Sequence, residues 1–267
     1  MQSLISVLLR AYLIAIIVLG VAWIVDLARF FGLSLIAAEW IGPLLGIGVA
    51  AAILRHPYGK QPTLYEVALG LVAIFCWVWM SVNYNDWIID ISGYTAQKYI
   101  PAIAALVMLV EALRKSAGLP ITILVFILIL YGLLGYLLPV PLQAERLSPE
   151  SFVMYLYADT NGVPGLVMQV VGTLVLAFVV FGRLMDFSGA IRFFTDLALG
   201  FMGHKRGGPA KVAVVASSIF GSINWTAIGN VMSTGIVTIP LMKRSGFKAH
   251  AAAAIEAVAS NGGQLAP

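Results

Sequence analysis

Six times along this chain, about 20 residues pass with almost no charge, the length a helix needs to cross the hydrocarbon of a bilayer. The runs are Leu8–Val25, Leu33–Leu54, Leu64–Val82, Ile91–Leu113, Leu119–Leu138 and Val163–Phe181. Lys98 and Pro101 interrupt the fourth. The first is too long for a cleavable signal peptide, and no small-residue cleavage site follows it. With 16 Lys and Arg and 12 Asp and Glu in 267 residues, about 10% of the chain is charged, against about 25% in a soluble domain. So few charges cannot cover the surface of a soluble globule. Ordinary soluble enzymes and disordered tails are excluded, and the expected class is an all-α polytopic membrane protein.

Charge placement sets the expected orientation. Of the 16 Lys and Arg, 13 fall at the start of the first run (Arg10) or after the second, fourth and sixth, and only Arg29, Lys98 and Arg146 fall on the other side. The positive-inside rule therefore puts the N-terminus, the 55–63 loop and the 183–211 segment in the cytoplasm, and the 83–97 and 139–162 loops outside. The net charge of +4 belongs to these loops and implies no nucleic-acid partner. A single cysteine, Cys76, excludes a disulfide framework. Between Asp186 and Met202, apolar and charged residues alternate as in an amphipathic helix on the membrane surface, or a cytoplasmic extension of the sixth run.

The stretch from Val212 to Met242 is too long for one crossing and too short for two. It has basic clusters at both ends, Lys205, Arg206 and Lys211 before it and Lys243, Arg244 and Lys248 after it. Its middle holds Gly221, Ser222, Asn224, Thr226, Gly229 and Asn230. A re-entrant helical hairpin returns the second cluster to the cytoplasm, whereas a single crossing strands it outside. Irregular backbone at membrane depth survives only beside protein or a wet cavity. Its oxygens suit hard cations, although small residues also serve close helix packing. A second apolar stretch, Ala249–Ser260, runs into Asn261-Gly262-Gly263-Gln264 and reads as a broken helix. Glu256 lies inside it, either a functional intramembrane carboxylate or a residue near the surface paired with Lys248.

Elsewhere the signals are weaker. Gly42 and Gly46 give a G-x-x-x-G spacing for close helix packing. Glu39 and Trp40 read as an interfacial anchor. Trp77, Trp79, Tyr84, Trp87 and Tyr94 read as an aromatic belt.

The run Arg206-Gly207-Gly208-Pro209-Ala210-Lys211, the Phe220-Gly221-Ser222 turn, Thr238-Ile239-Pro240-Leu241-Met242-Lys243-Arg244-Ser245-Gly246-Phe247 and Glu256-Ala257-Val258-Ala259-Ser260-Asn261-Gly262-Gly263-Gln264 together resemble the large membrane subunit of tripartite ATP-independent periplasmic (TRAP) transporters. The upstream spans are similar to the fused form, in which the small subunit precedes the large one. The resemblance implies six transmembrane helices, a re-entrant hairpin and a broken helix within an inverted-repeat, elevator-type transporter. It implies a small-subunit-like scaffold domain over 1–115 and the first part of the large-subunit domain over 116–267. Because the chain stops at Pro267 inside the motif, it also implies a fragment lacking the second repeat.

By the same resemblance, the chain is a non-enzymatic permease component of the bacterial inner membrane. It imports an organic acid anion by symport with sodium as the coupling ion and no other cofactor, and a periplasmic substrate-binding protein delivers the solute. The implied sodium donors are Ser222, Asn224, Thr226, Asn230, Ser260, Asn261 and Gly263. The implied substrate contacts are Asn224, Trp225, Thr226 and Gln264. The family usually carries Ser-Gly-Ser where this chain has Asn224-Trp225-Thr226, alanine at Gly229 and threonine at Asn261. Two other readings stand beside this one: a non-transporting membrane scaffold, and a proton-coupled transporter using Glu256.

Overall fold

A computed structural model of the chain describes residues 2–59, 62–89, 95–222 and 227–262. Among these the structure is helical, with no strand. The helices are α1 (Gln2–Ile24), α2 (Leu27–Phe30), α3 (Ala37–Arg55), α4 (Leu64–Ile89), α5 (Ala96–Ala117), α6 (Leu119–Leu134), α7 (Pro149–Ala158), α8 (Leu166–Val170), α9 (Leu176–Phe187), α10 (Ala190–Met202), α11 (Gly208–Gly221), α12 (Ala227–Arg244) and α13 (Ala249–Gly262). A π-helical stretch, Val171–Val175, joins α8 to α9 without a break. Six helices among the described residues are long and apolar enough to span a membrane, and they coincide with the six runs expected from the sequence. The protein is therefore an all-α, multi-pass membrane protein.

Contacts divide the chain into two compact units, Met1–Thr173 and Leu174–Pro267. In the first, α3 is the central element, with Ile41, Leu44, Leu45, Ala50, Ile53 and Leu54 all buried. It packs most closely on α4, where Gly42 and Gly46 face Trp77, Ser81 and Ile74 at distances that leave no room for a Cβ. The G-x-x-x-G spacing thus performs the packing expected of it. Trp40 stacks on Trp23 at 4.8 Å, and its indole N–H donates to the Leu19 carbonyl at 3.1 Å. Glu39 accepts from the Ile36 amide at 2.9 Å and from Asn85 at 2.5 Å, so it caps α3 and ties it to α4.

The aromatic belt is corrected in part. Trp77, Tyr84 and Trp87 are buried, and Tyr157 of α7 packs against both tryptophans while its hydroxyl donates to the Cys76 carbonyl. Long-range packing with α7 draws these rings inward. Trp79 keeps a partly exposed position and donates to the Gln97 carbonyl at 3.2 Å. Tyr94 lies outside the described residues.

An ionic network closes the other end of this unit. Glu66 is fully buried and accepts from the amides of Tyr58 (2.6 Å) and Thr63 (2.7 Å) and from Lys115 Nζ (3.1 Å). The Lys115 ammonium also sits 3.5 Å from the centre of the Tyr58 ring. Tyr58 donates to Glu111 at 2.5 Å, and that bond holds its phenol above the ordinary range. Tyr58, in the eight-residue loop between α3 and α4, is thereby fastened to the end of α5.

The second unit begins with α9 and turns at Gly189 (φ 77°) into α10. The alternating pattern of 186–202 forms a separate helix rather than a simple extension of the sixth span. Ala198 packs against Val212 and Ala216 of α11, while Phe193, Leu197 and Phe201 stay exposed. Then α11 and α12 run side by side as a helical hairpin, with Ala213 packed against Met242 and with α13 across both through Ala252.

Candidate functional site

The helical limbs reach further into the polar run than the sequence implies. α11 continues to Gly221 and α12 is helical from Ala227, so Asn230 is helical rather than part of the turn. Its side chain is free to stay in the helix because its amide finds partners on α11 and α13 rather than on its own backbone. In the same way α13 contains Ser260 and Asn261 and is still helical at Gly262.

The expected site residues have four different fates. Asn230 and Ser260 are fully buried and meet: the Asn230 amide donates to the Ser217 carbonyl at 2.9 Å and to the Ser260 carbonyl at 3.5 Å. Ser222 is exposed and its hydroxyl returns to the Ile219 carbonyl at 2.7 Å. Asn261 is exposed on α13. Asn224, Trp225, Thr226, Gly263 and Gln264 lie outside the described residues.

What the structure assembles around Asn230 and Ser260 is a buried polar hub centred on Glu256. The carboxylate accepts from Thr234 at 2.5 Å, Thr238 at 2.5 Å, Ser217 at 3.1 Å and Ser260 at 3.3 Å. The Ser217 and Thr234 hydroxyl oxygens also lie 3.1 Å apart, close enough for either to donate to the other in place of the carboxylate. All five side chains and Asn230 are within 1% of complete burial. Glu256 therefore neither reaches the surface nor pairs with Lys248. Gly235 makes the approach possible, since a Cβ there would come within 3.2 Å of the Glu256 side chain.

Thr234 and Thr238 had not been singled out. Their signal was spacing: Asn230, Thr234 and Thr238 recur every four residues, as do Glu256 and Ser260, so each set lines one face of an otherwise apolar helix. Each buried polar group finds partners, as a low-dielectric interior demands. The groups of this hub that can bind a cation are hydroxyl, carbonyl and carboxylate oxygens, a donor set suited to a hard ion such as sodium. Among the described residues no cluster of three His, Cys, Asp or Glu side chains offers a transition-metal site.

Residues 104–267, more than half of the chain and all of α11, α12 and α13, match the family described as "Tripartite ATP-independent periplasmic transporter, DctM component". The chain belongs to this family. Among TRAP relatives, it is 30% identical over 78 residues to a putative TRAP transporter large permease protein of Haemophilus influenzae, covering 29% of this chain and 18% of that protein. It is 30% identical over 90 residues to the 2,3-diketo-L-gulonate TRAP transporter large permease protein YiaN of Escherichia coli, covering 34% of this chain and 20% of the relative. A longer alignment, 27% identical over 156 residues, joins it to the uncharacterized protein YgiK of Salmonella typhimurium, with 58% and 33% coverage. The chain thus spans about a fifth of the length of the two named TRAP permeases. No solved structure matches it. Membership of the TRAP family makes the chain a membrane transporter component and bears out the resemblance read from residues 206–264.

Proposed function

We propose that this chain is part of the permease of a sodium-coupled secondary transporter that imports an organic acid anion delivered by a periplasmic substrate-binding protein. The observation that carries this reading is the hub joining both limbs of the α11–α12 hairpin to α13, which brings Asn230 and Ser260 of the expected donor set together. Interrupted helices leave carbonyls free, and their C-terminal ends favour a cation while opposing N-termini favour an anion. We assign sodium to the donor set Ser222, Asn224, Thr226, Asn230, Ser260, Asn261 and Gly263, and the solute to Asn224, Trp225, Thr226 and Gln264. Neither break contains a carboxylate, which suits a monovalent ion better than calcium. One relative is named for 2,3-diketo-L-gulonate, a sugar acid, in keeping with an organic anion.

In this reading residues 1–115 are the scaffold-like part and 116–267 the start of the transporting part, within an elevator-type permease of the bacterial inner membrane with its N-terminus in the cytoplasm. The hairpin is re-entrant, so Lys211 and Lys243 share the cytoplasmic side. Single cysteines at these two positions in a Cys76→Ala background are expected to react with a membrane-impermeant maleimide only after the cytoplasmic face is opened. Labelling of one lysine position from each side would remove the re-entrant arrangement.

Coupling is tested on the complete permease in vesicles with its binding protein, using a panel of sugar acids, dicarboxylates and sulfonates. Uptake is expected to need an inward sodium gradient. Asn230→Ala is expected to raise the sodium concentration for half-maximal rate about tenfold, the effect of losing a hydrogen bond in a charged site. Uptake that follows a pH gradient without sodium, and that Glu256→Gln abolishes, would replace sodium by the proton as the coupling ion.

A further inference from the structure

The hub is unequal in what it ties together. The two limbs of the hairpin are joined directly, through Asn230 to the Ser217 carbonyl, and the Ser217 and Thr234 hydroxyls lie within reach of each other. Between α12 and α13 the close polar contacts run through Glu256, from Thr234 and Thr238 at 2.5 Å each, beside a longer contact of 3.5 Å from Asn230 to the Ser260 carbonyl. The two threonine hydroxyls also have a second choice. Thr234 lies 2.9 Å from the Asn230 carbonyl and Thr238 lies 3.0 Å from the Thr234 carbonyl, each one turn back in α12. Each hydroxyl has one proton. Without an acceptor on α13 both protons return to their own helix, a bonding mode open to any helical threonine. α12 then stays satisfied, and its close polar ties to α13 are gone, leaving the 3.5 Å contact from Asn230 to the Ser260 carbonyl.

The position of Glu256 makes this matter. It stands one helical turn before Ser260, and its partner Thr234 stands one turn after Asn230, so the carboxylate lies beside the two buried members of the expected donor set. Thr234 and Thr238 each lie 2.5 Å from a different oxygen of the carboxylate, so Glu256 engages both hydroxyls at once.

We propose that Glu256 is a positioning residue that fixes α13 against the α11–α12 hairpin and thereby sets how Ser260 meets Asn230, the two buried members of the sodium donor set. This rests on the sodium reading above, and two variants separate the possible roles. Glu256→Ala removes the tie. Glu256→Gln retains one acceptor oxygen, and its amide donates back to a threonine hydroxyl whose proton has returned to α12. A positioning role therefore predicts recovery with glutamine.

The purified complete permease is melted in detergent with NaCl or KCl at equal ionic strength, and amide exchange is followed over 249–262. For Glu256→Ala we expect the sodium concentration giving half of the sodium-specific rise in melting temperature to increase about tenfold. We also expect exchange across α13 to accelerate. Glu256→Gln is expected to stay within about twofold of the wild type in both. An alanine variant that melts earlier with an unchanged sodium response, or a glutamine variant as impaired as alanine, would overturn the proposal. A wild type that responds equally to both salts would overturn the sodium reading, and α13 exchange unmoved by Glu256→Ala would then overturn the positioning role on its own.

Discussion

Lys115→Ala is expected to destabilise the protein by about 3–5 kcal/mol, the scale for removing one partner of a buried ion pair. The Lys115 and Glu66 side chains are 4% and 0% exposed and meet at 3.1 Å. Removing the ammonium leaves the Glu66 carboxylate with the Tyr58 and Thr63 amides and no cation. The ring of Tyr58 also loses the charge above it. The neighbouring pair Arg114–Glu111 provides the internal control. It has 41% and 20% exposure at 2.7 Å, and Arg114→Ala should cost no more than about 1 kcal/mol, as exposed pairs do. Thermal melting in detergent reads both. Glu66→Gln added to Lys115→Ala should recover part of the loss, because the uncompensated charge is then gone. Equal melting of Lys115→Ala and Arg114→Ala would show that water reaches Glu66 and that the pair is not buried in solution.

The contrast between the ends of α4 explains what the sequence could and could not tell. The start at Leu64 was legible because hydropathy rises there after Pro62 and Thr63. The end was expected near Val82, where Asn83, Tyr84, Asn85 and Asp86 interrupt the apolar run, yet the helix continues to Ile89. Tertiary partners decide this, since Asn85 reaches Glu39 and Tyr84 is buried, while Asn83 satisfies its amide within the helix on the Trp79 carbonyl. The polar hub divides in the same way. That two helical limbs flank the polar run around Ser222 was expected from the sequence, and so was the candidacy of Glu256. That Glu256 faces Thr234 and Thr238 depends on how α13 lies across the hairpin. The four-residue spacings were present, but spacing within a helix does not choose the neighbouring helix.

Gly42→Val is expected to cost about 3 kcal/mol, at the upper end of the range for over-packing. A Cβ on Gly42 would lie 1.9 Å from Ser81 Oγ and 2.5 Å from the Trp77 carbonyl oxygen. The first clash can be relieved by rotating Ser81 away, at the expense of its hydrogen bond to that same carbonyl. The second cannot, because the obstacle is the backbone of α4. The helices must separate at the point where Ile41, Leu44, Leu45 and Trp77 form the core. Gly42→Ala should show the same direction with a smaller loss, and adding Ser81→Ala should restore only part of it. Gly48, one turn and a half further along α3, has nothing within 4 Å of a Cβ. There Gly48→Ala should be neutral or raise stability by up to about 1 kcal/mol, since alanine is the better helix former. Melting temperatures of Gly42→Ala and Gly48→Ala that coincide would mean that α3 and α4 do not approach as closely as Gly42 permits. A lower value for Gly42→Ala alone would place the constraint on packing rather than on helix propensity, because propensity moves both variants in the same direction.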